Sequence, residues 1–324
     1  MKAAFAGSFA VRLAEPVRHR LGVACEIVTG DETAILDELG DAEVLISMGF
    51  SKEMAAAGPR LRLVQVPGAG LDRVDRAQFR PGLALANAFG HEAGIAEYII
   101  GAMIALTRSF RRLDQKLRAG EWESQWAVGA PAPALWPELT GKTLGILGFG
   151  HIGEALAERA RAFGMRVCGI RRRAQCDAPE GVACFGGLER LDHVLGLADY
   201  LAITLQLSPE TRGLLDARRL GLMKASAYLV NVARAEIVDE RALYEALAHG
   251  RLAGAALDVW YRYPTSSGHA LPASAPFNEL ETVIMTPHVS GWTEGMAEAR
   301  AALIAENIAR TVRGEPPLNA IAWG

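Results

Sequence analysis

Four polar residues fall at the ends of short apolar runs in the second half of the chain. They are Arg234 after LVNVA, Asp258 after GAAL, His288 after IMTP, and Tyr263 in the loop beyond Asp258. Their types suit anion and proton chemistry: a guanidinium can fork onto a carboxylate, an imidazole can give or take a proton near neutral pH, and a carboxylate can hold an amide. Each alone has a structural explanation, as a helix-start charge, a turn residue or a loop histidine. In an open parallel sheet, however, ligands bind outside the carboxyl ends of the strands, so these positions predict one shared crevice.

What that crevice holds is suggested by residues 143–173, TLGILGFGHIGEALAERARAFGMRVCGIRRR. A short apolar strand, Leu144 to Leu147, runs into Gly148, Gly150 and Gly153 at the spacing G-x-G-x-x-G. Gly148 permits a tight turn, Gly150 lets backbone approach a pyrophosphate, and Gly153 lets the helix pack on its strand. Phosphate then sits on the helix N-terminus, where free N–H groups and the helix dipole favour an anion. Ile152, Ala155, Leu156 and Ala160 continue at helical spacing, and Met165 to Ile170 reads as the second strand of a β-α-β unit. A unit that prefers NAD places Asp or Glu about 20 residues beyond the motif. Here that place holds Arg171, Arg172 and Arg173, which suit a 2′-phosphate, so the expected coenzyme is NADP(H), with NAD possible and Arg171 or Arg172 as the clamp.

The elements that position these residues follow from the pattern of the whole chain. Its 324 residues suit two domains, and 50% hydrophobic with 22% charged residues allows a large core. A net charge of −3 argues against a nucleic-acid surface. No apolar run is long enough to span a membrane and Met1 to Ala10 lacks a secretory cleavage pattern, so the expected address is cytoplasmic. Cys25, Cys168, Cys176 and Cys184 form no C-x-x-C pair and predict neither metal nor disulfide; Cys25 and Cys168 fall in strand patterns.

Apolar runs at 2–6, 25–29, 43–47, 61–66 and 83–87 alternate with helix-like segments, the mark of a parallel sheet covered on both faces. Residues 94–118 read as one long helix with a basic tail. The tract 120–140, with Trp122, Trp126, Trp136 and three prolines, fits neither period, as expected of a functional or docking segment. Strand patterns return at 199–205, 228–232, 253–259 and 283–286, and a terminal helix spans 293–313. The fold class is therefore α/β, with two doubly wound parallel-sheet domains. A flavodoxin-like substrate domain comprises 1–93 and 295–324, and a Rossmann nucleotide domain comprises 94–294.

The runs ELTGKTLGILGFGHIG, SPETRGLL, NVARAEIVDERALYEAL, GRLAGAALDVW and MTPHVSG, with VQVPGAGLDRVD and GIAEYIIGAMIAL earlier, resemble the signatures of the D-isomer-specific 2-hydroxyacid dehydrogenases. The resemblance spans nearly the whole chain, and the joint order of the motifs is specific. It implies a hydride transfer between NADP(H) and a small 2-oxo or D-2-hydroxy acid of the glyoxylate or hydroxypyruvate type, in a homodimer whose two domains flank a cleft. By the same resemblance Arg234 grips the substrate carboxylate and carbonyl, and His288 protonates the carbonyl oxygen. Asp258 orients the nicotinamide carboxamide, and the backbone of Ala69 and Gly70 holds the substrate carboxylate. His151 and Ile152 line the pyrophosphate, and Val232 and Ser290 complete the cofactor contacts.

One part of the pattern is broken. The family places a Glu five residues after the Asp, paired with the catalytic His; this chain reads DVWYRYP and puts Tyr263 there. The loop beyond it also carries TSSGHALP as an apparent insertion. Tyr263 reads as a neutral partner of His288 in a working reductase. Alternatively it lines a pocket reshaped for a non-standard substrate, with His91 or Glu92 taking the acid's role. A third reading is a dinucleotide-binding sensor that has lost turnover. His91 and Glu92 also read simply as helix-entry residues.

Overall fold

A computed structural model describes residues 1–172, 178–265 and 268–322. Arg173, Cys176 and part of the TSSGHALP segment lie outside the described residues. The chain divides into two compact units, 1–91 with 292–324, and 92–291, so the crossings fall within three residues of those read from the sequence.

The first unit opens with β1 (Lys2–Ala6), α1 (Gly7–Arg18), β2 (Glu26–Gly30), β3 (Val44–Ser47), α2 (Lys52–Ala57), β4 (Leu63–Gln65) and β5 (Ala84–Ala86). All pair in parallel, in the order β2-β1-β3-β4-β5. Alternate residues of β1 feed opposite faces: Ala3 and Phe5 join one apolar cluster with Leu13 and Val17, while Ala4 and Ala6 join another with Ile35 and Leu45. Burial on both faces is why these strands read as continuous apolar runs. β2 starts at Glu26, one residue after the expected start, so Cys25 lies just outside it and is half-buried.

The second unit runs through α3 (Glu92–Thr107), α4 (Phe110–Arg118), β6 (Thr143–Leu147), α5 (His151–Ala162), β7 (Arg166–Ile170), β8 (Val182–Gly186), α6 (Leu191–Leu197) and β9 (Tyr200–Ile203). It continues with α7 (Ala217–Leu220), β10 (Tyr228–Asn231), α8 (Glu240–Ala248), β11 (Gly254–Leu257) and β12 (Val283–Met285). Its seven strands are parallel in the order β12-β11-β10-β9-β6-β7-β8. The order reverses between β6 and β9, which is where a doubly wound sheet opens a crevice at its carboxyl edge. The chain then returns to the first unit as α9 (Glu294–Arg313), started by the Thr293 hydroxyl accepting from Met296 N–H and ended at Gly314 with φ +72°.

The expected single helix over 94–118 is two helices, bent by 59°. Ser109 sits at φ +50° between them. Thr107 Oγ1 bonds back to the Met103 carbonyl at 2.7 Å and meets Tyr200 Oη at 2.8 Å, a diversion that bends helices. Beyond the bend α4 buries no residue, so no core contact holds it in line with α3. Among the described residues no single helix is long and apolar enough to cross a membrane, and no cluster of His, Cys, Asp and Glu could hold a metal ion. Cys168 and Cys184 face each other across β7 and β8 as thiols, and burial pushes the Cys168 thiol up to about 11.

Candidate active site

The glycine turn after β6 requires its glycines for separate reasons. Gly148 adopts φ +111°, and a Cβ there would stand 2.5 Å from Leu205 N, so both conformation and space exclude a side chain. At Gly153 an added Cβ would meet Gly148 O at 3.1 Å and Ile146 Cγ2 at 3.2 Å, which is the close packing of α5 on β6. Gly150 is different: no atom lies within 4 Å of where its Cβ would be. It is also the N-cap of α5, and no side chain caps that helix. Open space above an uncapped helix N-terminus fits a pyrophosphate. His151, exposed, and Ile152, half-buried, form the first turn of α5.

Arg171 and Arg172 follow β7 directly and are both exposed. The Arg171 amide donates to the Gly186 carbonyl at 2.9 Å, fixing its backbone to β8. Among the described residues neither guanidinium forms an ion pair or a hydrogen bond. The place an NAD-selective unit gives to a carboxylate therefore presents two cations to solvent.

At the carboxyl end of β10, Asn231 closes the turn that presents Arg234. Its Oδ1 accepts the Ala233 amide at 3.1 Å and its Nδ2 donates to the Arg234 carbonyl at 3.0 Å. Asn231 is buried while Arg234 is half-buried, so the amide acts as a brace beneath the cation. Val232 is buried in the same turn.

One strand over, Asp258 directly follows β11 and has no exposed surface. Its Oδ1 accepts the Thr286 hydroxyl at 2.6 Å and the Val289 amide at 2.9 Å, and its Oδ2 accepts the Ser290 amide at 2.8 Å. Three donors from the segment after β12 thus converge on one carboxylate and hold the loop that carries His288. Tyr98 of α3 extends the network, its hydroxyl 2.6 Å from Thr286 Oγ1, and Trp260 Nε1 donates to the Thr286 carbonyl at 2.8 Å. The clamp matters because His288 has φ +58°, a conformation a β-carbon disfavours and the surroundings must impose. Asp258 therefore positions the imidazole through the loop, with about one acceptor site beyond the three in use.

His288 is exposed, and its Nδ1 lies 2.8 Å from Tyr263 Oη. Tyr263 Oη also accepts the Trp260 amide at 3.3 Å. A phenol at this place can accept from Nδ1–H of the protonated ring or donate to Nδ1 of the neutral one, and so holds the imidazole in both states. Burial raises the Tyr263 hydroxyl above its ordinary pKa, against the lowering pull of the Trp260 amide and the Arg234 cation; the Asp258 and Glu236 carboxylates add to the rise. The residue facing Nδ1 is thus a neutral phenol at physiological pH.

A family model described as "D-isomer specific 2-hydroxyacid dehydrogenase, NAD binding domain" matches residues 100–290. Over 288 residues, 87% of this chain and 83% of the relative, the sequence is 33% identical to a glyoxylate reductase of Pyrococcus furiosus. The chain belongs to this family. It is a D-isomer-specific 2-hydroxyacid dehydrogenase family member, an NAD(P)-dependent oxidoreductase acting on CH–OH groups. The dehydrogenase is also 33% identical over 305 residues to the D-3-phosphoglycerate dehydrogenase of Methanocaldococcus jannaschii, covering 91% of this chain but 55% of that longer protein. The TT0316 protein of Thermus thermophilus superposes with a TM-score of 0.82 at 28% identity, over 99% of this chain and 100% of that one.

In the dehydrogenase's second unit, Arg234, Asp258, Tyr263, His288 and Ser290 follow three successive strands of the sheet, with the glycine turn on β6. Ala69 and Gly70 lie in the first unit, in the segment after β4, and His91 is the half-buried residue before α3. Sequence reasoning missed Asn231, Trp260, Thr286 and Tyr98, whose contribution is the bracing of their neighbours. All four lie within runs that carry the resemblance (NVARAE, GAALDVW, MTPHVSG and GIAEYIIGAMIAL), which was the signal that could have been read.

Proposed function

We propose that the enzyme reduces a small 2-oxo acid of the glyoxylate or hydroxypyruvate type with NADPH, or oxidises the matching D-2-hydroxy acid. The observation that carries this reading is the Tyr263–His288 pair at 2.8 Å, one strand from the braced Arg234. The second unit serves as the dinucleotide-binding domain: Gly148, Gly150, His151, Ile152 and Gly153 take the pyrophosphate, Arg171 or Arg172 the 2′-phosphate, and Val232, Asp258 and Ser290 flank the nicotinamide. The first unit serves as the substrate-binding domain. When bound, the reduced nicotinamide supplies the hydride. Arg234 forks onto the substrate carboxylate and polarises the carbonyl, and the protonated His288 ring, its Nδ1–H held by Tyr263 Oη, gives its Nε2 proton to the oxygen as the carbon accepts hydride, leaving a neutral imidazole. Tyr263 aligns the imidazole at Nδ1.

The exposure of four large apolar residues within one irregular segment, Trp122, Trp126, Val128 and Leu135, supports a homodimer that would cover them. The test of the reading is absorbance at about 340 nm with both coenzymes and a graded panel of 2-oxo acids. Consumption of NADPH with glyoxylate or hydroxypyruvate is the expected result. Cofactor binding without oxidation across the panel overturns it in favour of a sensor.

A pH profile tests the role of Tyr263. In Tyr263→Glu a carboxylate faces Nδ1 and stabilises imidazolium, which raises the pKa of His288. Reduction that uses the protonated ring then persists to higher pH, and the alkaline limb should move up by about one unit, equivalent to about 1.4 kcal/mol. An alkaline limb that stays in place in this variant excludes the pairing.

A further inference from the structure

Asn87, one residue beyond β5, is buried with 5% of its surface exposed, and its side chain makes one hydrogen bond: Nδ2 donates to the Ala69 carbonyl at 3.1 Å. Its Oδ1 is buried without a hydrogen-bond partner among the described residues. A buried amide that makes one of its four possible hydrogen bonds is unfavourable, so what that single bond does carries the argument.

That bond sets a peptide plane. In a trans peptide the C=O of one residue and the N–H of the next point in opposite directions, and the described chain contains no cis peptide. The Ala69 carbonyl is drawn toward Asn87, so the Gly70 N–H points away from it. One peptide earlier, the Gly68 carbonyl accepts the Ala88 amide at 3.0 Å, so the Ala69 N–H also points away from the 87–88 segment. Two successive N–H groups are thereby turned to one side, and neither has a partner among the described residues. Val66 N–H to the Ala86 carbonyl at 2.8 Å anchors the start of the same segment to β5. Adjacent N–H groups turned to one side form a concavity that binds an anion.

We propose that Asn87 is the positioning residue of this nest: by holding the Ala69 carbonyl it fixes the Ala69 and Gly70 N–H groups on one carboxylate, and so sets the enzyme's preference for a substrate with a carboxylate beside the reducible carbon. The inference rests on the 2-oxo acid reading above and assigns its carboxylate selectivity to a residue that does not touch substrate. Asn87 acts through Ala69, so its loss alters recognition of the carboxylate group and leaves dinucleotide binding by the second unit intact.

The test compares pyruvate with methyl pyruvate, which share a carbonyl and differ in the carboxylate, in the unaltered enzyme, Asn87→Leu and Asn87→Asp. Leu is close in volume and cannot donate; Asp is isosteric, and its carboxylate cannot donate to Ala69. In both variants KM for pyruvate should rise about tenfold to a hundredfold with kcat and the NADPH Kd little changed. The pyruvate-to-ester ratio of kcat/KM should fall by about the same factor. Variants that keep the original Tm and the original ratio overturn the proposal. If either variant fails to fold, amide chemical shifts of the unaltered enzyme titrated with oxamate decide: the Ala69 and Gly70 N–H signals should move together, and stationary signals overturn it. Failure of the unaltered enzyme to turn over any 2-oxo acid would sink the underlying reading, a result distinct from turnover with an unchanged ratio.

Discussion

His288→Asn should lower kcat for 2-oxo acid reduction by about 10²- to 10⁴-fold while leaving the Kd for NADPH within about twofold, the span typical of losing a positioned general acid. Asparagine tolerates positive φ better than most residues, so the loop at φ +58° keeps its shape and the loss can be read as chemistry. Tyr263→Phe provides the partner measurement. It removes the hydroxyl 2.8 Å from Nδ1 but leaves the ring, so kcat should fall less, about tenfold, as the imidazole loses its orientation and not its proton. In the double variant the two losses should not add, because once the imidazole is gone there is no orientation left to lose. Additive losses would show that Tyr263 acts on substrate directly.

The glycine turn was legible in the sequence because its constraints are local. Gly148 needs a positive φ and an absent Cβ, Gly153 needs close packing on Ile146, and both demands fall on residues within the motif or its strand. The inner strands of both sheets were legible for a similar reason: buried on two faces, they carry unbroken apolar runs. The break between α3 and α4 was not legible. It depends on Thr107 meeting Tyr200, 93 residues away in the chain, and an apolar pattern that fades at Leu106 reads equally well as a helix turning toward solvent. Edge strand β8 was missed because only its last residue, Gly186, is buried, so its pattern is mixed.

The side chains that could do chemistry were visible by type and by their place after strands. Their supports were not. Asp258 reads in sequence as a ligand-facing carboxylate, and three donors arriving from residues 286–290 give it a second part as the clamp on the His288 loop. Such a role appears only when β11 and β12 lie side by side. Asn87 is harder still: in LANAFG it has neither period nor motif, and its meaning comes from a carbonyl 18 residues earlier. Local rules place functional groups, whereas the residues that aim them are set by tertiary pairing.

Reversing the charge after β7 should change the coenzyme. In the Arg171→Glu, Arg172→Glu double variant, KM for NADPH should rise roughly a hundredfold or more, since each guanidinium contact to a phosphate is worth about 1.5–3 kcal/mol and like charge now repels it. KM for NADH should hold or fall, because a carboxylate at this place accepts hydrogen bonds from the unphosphorylated ribose. The substitutions carry little structural penalty: both side chains are exposed, and the Arg171 contact to β8 is made by its backbone. The Ser208 hydroxyl and the Glu210 backbone amide hold the Glu210 carboxyl below its ordinary pKa with a smaller pull from the Arg172 cation, so reversing Arg172 alone should let that pKa rise slightly, giving a signal in NMR titration independent of turnover. Single variants then separate the arginines. The one whose loss weakens NADPH and spares NADH is the clamp, and equal response to both coenzymes in each variant, or a preference for NADH in the unaltered enzyme, refutes 2′-phosphate recognition at this place.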